Sequence, residues 1–111
     1  GNTFQLFYLG RGGNLHALWD GGLLRAGREP WRARSARLSG MRPDADTAWS
    51  PRAPGTWAEA SCRLIGTAGV YPPRPGRLPP GYIEAQLPVV ERQLVLAGAR
   101  LAALLDAVLG D

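Results

Sequence analysis

Six apolar residues near the end of the chain, Val90, Leu94, Ala97, Leu101, Leu104 and Val108, are spaced 4, 3, 4, 3 and 4. An α-helix puts positions at those intervals on one face, because its turn of about 3.6 residues aligns i, i+3, i+4 and i+7. The spacing predicts one long helix that lies on a core along this stripe, with Glu91, Arg92, Arg100 and Asp106 mainly on the side facing water. Gly98 in its middle costs ~1 kcal/mol relative to alanine, which predicts close approach of another helix there. Pro88 predicts a first turn or a kink.

The rest of the chain has to supply what this helix packs on. Asn2 to Leu9 is rich in aromatic and β-favouring residues, with Phe4, Leu6 and Tyr8 alternating with Gln5 and Phe7. Followed by Gly10-Arg11-Gly12-Gly13 as a flexible turn, it predicts a strand or short hairpin. Asn14 is placed to cap a helix beginning at Leu15, in which Leu15, Leu18, Trp19 and Leu23 form an apolar stripe; Gly27 or Glu29-Pro30 stops it. Trp31 to Leu38 predicts a short arginine-rich helix, after which Pro43, Pro51 and Pro54 interrupt regular structure. Thr56-Trp57-Ala58-Glu59 matches a capping box and predicts a helix from Trp57 to about Gly66. The five prolines between Tyr71 and Gly81 predict an extended surface connection. Trp49, Trp57, Val70 and Tyr71 give the Pro- and Gly-rich middle enough anchors to read as loop-rich rather than disordered.

With 111 residues there is room for one domain and one core. Thirteen arginines and no lysine give a formal charge of +4. Arginine contacts phosphate bidentately, yet these arginines are scattered along the chain, and arginine-only usage with abundant Ala, Gly and Pro is also what GC-rich coding sequence produces. One cysteine, Cys62, excludes an internal disulfide and a cysteine-rich zinc cluster; a free thiol on the buried face of a helix is the expectation. No run approaches the ~18 apolar residues of a membrane span. The chain opens on Gly1, and Asn2 to Leu9 already reads as structured, which suggests the C-terminal part of something longer.

Chemistry concentrates in Asn14-Leu15-His16-Ala17-Leu18-Trp19-Asp20, which holds the only histidine. An imidazole and a carboxylate at i and i+4 converge above one helical turn and can share a zinc ion; a helix-surface pair or a capped core histidine fits the same spacing. If the pair binds metal, its remaining protein ligands lie outside this chain, because catalytic zinc takes three. Asp20 before Gly21-Gly22 is alternatively a helix-end residue, which would spoil the chelate. Trp19 is expected in the core, as are Phe7, Tyr8 and Trp31, although all three of the latter are also possible stacking platforms for nucleobases. Arg11 is expected to be a solvated loop residue.

These pieces occur in a recognisable order. Gly1-Asn2-Thr3-Phe4-Gln5, Gly10-Arg11, Asn14 to Asp20, Trp57-Ala58-Glu59-Ala60-Ser61-Cys62, Val70-Tyr71, Val90-Glu91-Arg92-Gln93-Leu94 and Ala97-Gly98-Ala99-Arg100-Leu101-Ala102 resemble, in order, the C-terminal half of the S1/P1 nuclease family, and look more like a bacterial member than a fungal or plant one. The resemblance implies a mostly α, phospholipase C/P1 nuclease-like fold, here its C-terminal part over residues 1–111, with a short N-terminal strand or hairpin and a long amphipathic C-terminal helix. It implies a secreted or periplasmic enzyme with three zinc ions that cleaves single-stranded DNA and RNA to 5′-nucleotides and removes 3′-phosphates. His16 and Asp20 match two ligands of one ion, and Asn2 matches an asparagine placed to contact substrate. The other ligands, on this reading, belong to a missing N-terminal half, so the 111 residues alone are expected to be inactive. A zinc phospholipase C of the same fold is one competing reading, although those enzymes resemble this chain less at Asp20, where they carry glutamate. A non-enzymatic helical interaction module is the other.

Overall fold

A computed structural model of the chain describes residues 1–43 and 54–110; Trp49 and Pro51 lie outside the described residues. The N-terminal segment forms a hairpin of β1 (Gln5–Tyr8) and β2 (Arg11–Asn14), antiparallel with Gln5 opposite Asn14 and Tyr8 opposite Arg11. Alternation holds: Leu6 and Tyr8 are buried, whereas Gln5 and Phe7 face outward. The turn, however, is Leu9-Gly10, both at positive φ, as a two-residue loop that follows strand twist requires. Gly12 and Gly13, expected in a flexible turn, belong to β2 instead. Gly13 is there because the Tyr8 ring lies over it: a Cβ would come within 2.9 Å of the Tyr8 hydroxyl. Arg11 is exposed as expected, but on a strand rather than a loop.

Within the proline-rich connection, β3 (Gly76–Arg77) runs parallel to β1, giving the strand order β2-β1-β3. Two residues between proline-flanked segments give no alternation to read, so this strand had no sequence signal.

Next comes a nearly continuous helical stretch: α1 (Leu15–Ala17), a wide π turn (Leu18–Gly22) and α2 (Leu23–Ala26). Leu15, Leu18 and Leu23 turn inward and join Leu6, Tyr8, Val70, Tyr82 and Val90 in the core, with Trp19 half-buried against it. Gly27 ends the stretch in a tight place, since a Cβ there would meet Arg34 Nη2 and Leu87 Cδ2, each at 2.7 Å. Helix α3 (Trp31–Ser39) follows Pro30. Trp31 and Phe7 are exposed rather than in the core; each carries an arginine over its ring, Arg32 and Arg77 respectively.

Helix α4 (Pro54–Thr67) begins earlier than the capping box implies. Pro54 is thus a first-turn residue, where its missing N–H costs nothing, and Thr56 lies inside the helix instead of capping it. No α4 residue is fully buried, and Cys62 is an exposed free thiol, contrary to expectation.

The long helix is present as α5 (Tyr82–Leu109), entered through Gly81 in the left-handed conformation. Pro88 sits in its second turn, where it forgoes the hydrogen bond to the Glu84 carbonyl. The expected stripe is only partly the buried one. Val90 is buried, but Leu94, Leu101 and Val108 are 44, 57 and 69% exposed. Tyr82, Gln86, Val89, Glu91, Leu96 and Arg100 are buried instead. Most of this burial falls in the first half of α5, which packs against α2 and α3, while no described residue covers the final turns. Nor, among the described residues, does any helix approach Gly98, where an added Cβ would meet nothing within 4 Å.

The buried charge at Glu91 has a partner. Arg37 donates to it from Nη1 (2.9 Å) and Nη2 (2.7 Å) and to Glu29 from Nε (3.1 Å) and Nη2 (2.6 Å). Arg34 Nε lies 3.3 Å from Glu29, in ion-pair range. These four residues clamp α3 to α5. The Arg37 guanidinium holds both carboxyls below the usual glutamate range. No described helix is long and apolar enough to cross a membrane.

Candidate metal centre

The hairpin aims the helix that carries the candidate ligands. Leu15 N–H donates to the Phe4 carbonyl (3.0 Å), and His16 N–H to that of Gly1 (3.4 Å), so the first helical turn is tied to the chain beside it. Asn14 has the extended backbone of an N-cap, and its Oδ1 accepts from the Ala17 N–H at 2.8 Å, as its position before Leu15 predicts.

After Ala17 the winding widens. The Leu23 N–H bonds to the Leu18 carbonyl, five residues back, which makes Leu18–Gly22 a π turn. Such turns occur as single insertions in α-helices, often at functional positions. Gly21 and Gly22 permit it: a Cβ on Gly22 would press on Leu18 Cδ1 at 3.1 Å and on the Ala17 carbonyl at 3.4 Å. Asp20 is therefore inside a continuing helix and not at its end.

From this turn His16 Nε2 and Asp20 Oδ2 converge to 2.9 Å, with their side chains 58 and 70% exposed. An exposed pair of this kind contributes no more than about 1 kcal/mol to folding. Its donor set nevertheless suits a metal: an imidazole nitrogen and a carboxylate oxygen this close can both reach one ion at the ~2.0–2.2 Å typical of zinc. The fit is to two coordination positions. Among the described residues no group of three or more His, Cys, Asp or Glu side chains gathers here or elsewhere.

A second set of contacts fixes the turn from behind. Trp19, next to Asp20, donates its indole N–H to the Tyr82 hydroxyl at 2.9 Å, and that hydroxyl donates to the Val70 carbonyl. Burial pushes the Tyr82 phenol above its ordinary pKa, against the opposing effect of the Trp19 hydrogen bond, so it acts as a neutral donor. Three distant segments thus meet behind the candidate ligands. Sequence reasoning placed Trp19 in the core but missed Tyr82, because nothing local marks a tyrosine that bonds 63 residues away. Asn2 is exposed, and its carbonyl accepts from Gln5 Nε2 at 3.0 Å. It follows Gly1, whose carbonyl accepts from the His16 N–H.

Beside the π turn, a groove of about 1130 Å³ opens between α3 and α5, with Gly21 at one margin and Leu24, Trp31, Leu38 and Leu94 in its walls.

No curated protein matches the chain. The family model S1/P1 Nuclease matches residues 1–110, essentially the whole sequence, and with it the mostly helical fold and the order of motifs agree. S1/P1 nucleases are in general zinc-dependent, and the match supports a nuclease-like or related hydrolase function acting on phosphodiester bonds. The chain that sets His16 beside Asp20 on a widened helical turn belongs to the S1/P1 nuclease family.

Proposed function

We propose that the intact enzyme is a zinc-dependent endonuclease that hydrolyses single-stranded DNA and RNA to 5′-nucleotides, with 3′-nucleotidase activity, and that residues 1–111 are the C-terminal part of its single domain. His16 and Asp20 are two protein ligands to one ion of a cluster of three. The observation that carries this reading is the 2.9 Å approach of His16 Nε2 to Asp20 Oδ2 within a motif that the family match covers.

Zinc, when bound, neutralises charge on a phosphoryl group and makes water nucleophilic at neutral pH. The chain's own residues hold the donors in place. His16 offers Nε2 as a neutral imidazole, and Asp20 offers Oδ2, in place of the contact they make with each other. Asn14 fixes the start of the helix, and Trp19 with Tyr82 fixes the turn, so that neither ligand has to be ordered when the ion arrives. Asn2 contacts the substrate. The remaining ligands come from polypeptide outside this chain, and the enzyme is secreted or periplasmic.

Zinc content and hydrolysis of single-stranded DNA, measured on the intact enzyme and its His16→Ala variant, test the assignment. The variant is expected to lose one ion per chain and nearly all activity while staying folded. An unchanged zinc content would remove His16 from the centre. The 111-residue chain by itself is expected to bind zinc weakly and leave DNA intact; hydrolysis by the chain unaided would refute the division of ligands.

A further inference from the structure

The groove between α3 and α5 begins at the turn that carries Asp20, since the next residue, Gly21, lies on its margin. Arg25, one turn further on, rests its guanidinium over Gly21: a Cβ there would come within 2.8 Å of Nη1 and 3.5 Å of Cζ. A cation is thus set beside the candidate metal pair. Arg28 lines the same groove where the chain turns into α3, at φ 57, a left-handed conformation that glycine takes more readily.

What these two arginines lack is an acid. Arg34, Arg37 and Arg63 each meet a glutamate in ion-pair range, whereas Arg25 and Arg28 meet none among the described residues. Glu29 also lines the groove but is already held by Arg34 and Arg37, which leaves Asp106 as the other acid among the described lining residues. Trp31 adds an aromatic wall. Its side chain is 73% exposed, with the Arg32 guanidinium 5.1 Å from the ring centre, and Leu24 and Leu38 extend the apolar surface beside it. Proteins hold single strands with this combination, in which arginines track the phosphates while bases stack on aromatic faces. An acidic peptide would answer the arginines alone; a single strand answers the indole as well, and the groove starts beside the pair that would hold the reacting phosphate.

We propose that this groove is the path of the single-stranded substrate beyond the metal pair, with Arg25 and Arg28 holding backbone phosphates and Trp31 stacking a base. The assignment deepens the nuclease reading and rests on it.

Fluorescence anisotropy of a labelled oligothymidylate with the 111-residue chain in chelator reads the groove without hydrolysis. Saturable binding that weakens with salt is expected. Arg25→Gln and Arg28→Gln should each weaken it and lower the slope of log affinity against log salt by about 0.7, the share of one phosphate contact on a single strand. Trp31→Ala should weaken it about tenfold and leave the slope as it was. In the intact enzyme, Arg25→Gln and Trp31→Ala should raise KM for oligothymidylate several-fold more than they lower kcat. No saturable binding at low salt, unaltered salt slopes in both arginine variants, equal binding of a polyglutamate peptide, or an unmoved KM would each overturn the proposal. Failure of the nuclease reading would show separately, as an intact protein that binds oligothymidylate through these residues and does not cut it.

Discussion

The two halves of α5 differ more than their sequences suggest. From Tyr82 to Glu91 the helix is enclosed: Tyr82 bonds to Trp19 and Val70, Val90 enters the core, and Glu91 is held by Arg37. From Leu94 to Leu109 its composition is even more apolar, yet the strip of Leu94, Leu101, Leu104, Leu105 and Leu109 is exposed, and only Leu96 and Arg100 are buried. An amphipathic period fixes which residues share a face. Whether that face is covered depends on neighbours, and here the neighbours reach only half of the helix.

The largest contrast is expected between core and strip. Leu18→Ala, at a fully buried position, should lower stability by about 2–5 kcal/mol, whereas Leu101→Ala should stay within about 0.5 kcal/mol. Urea unfolding of the two variants of the 111-residue chain measures both, and a costly Leu101→Ala would mean that the strip is already covered. Next comes Tyr82→Phe, which leaves the Val70 carbonyl without its donor and Trp19 without its acceptor, at about 1–3 kcal/mol. In the intact enzyme the same change should weaken zinc binding, since Trp19 adjoins Asp20; unchanged affinity would reduce Tyr82 to a packing role.

Acid sharpens the comparison in a different way. Glu29 and Glu91 have depressed pKa values in the folded chain, so the stability they contribute is fully present above the ordinary glutamate pKa of about 4.3 and is lost as pH falls through their lowered values. Unfolding midpoints should drop in that window, and Glu91→Gln should be less stable at neutral pH with a flatter acid limb. An acid limb that keeps its steepness in Glu91→Gln would place the sensitivity elsewhere. The smallest effect on folding is expected from His16→Ala, within about 0.5 kcal/mol, because the pair it breaks is exposed. A larger loss would recast His16 as a structural residue.

Much of the helical layout was legible, and the reasons are local. Asn14 announces a helix start through its own side chain, and Leu15, Leu18 and Leu23 announce a face by spacing. The His16 and Asp20 pairing was legible for the same reason, since both ends lie within one turn. What escaped depends on distance or on covering. The Tyr82 hydroxyl finds its partners 12 and 63 residues away. Glu91 was expected to face water, and nothing local marks Arg34 and Arg37 as its partners across α3 and α5. Gly98 was read as a contact point, and Cys62 as buried, because small or apolar side chains on a helix suggest a neighbour; neither has one among the described residues.

The wide Leu18–Gly22 turn accommodates one surplus residue without disturbing the phase of the helix on either side, since the Leu23 N–H reaches Leu18 as a residue four places on would in regular winding. Excising Gly21 should therefore restore ordinary winding while leaving Leu23 toward the interior and Gly27 beside Arg34 and Leu87. Such an insertion can be gained or lost by a lineage at little cost to the core, and what it alters is confined to the backbone around Asp20.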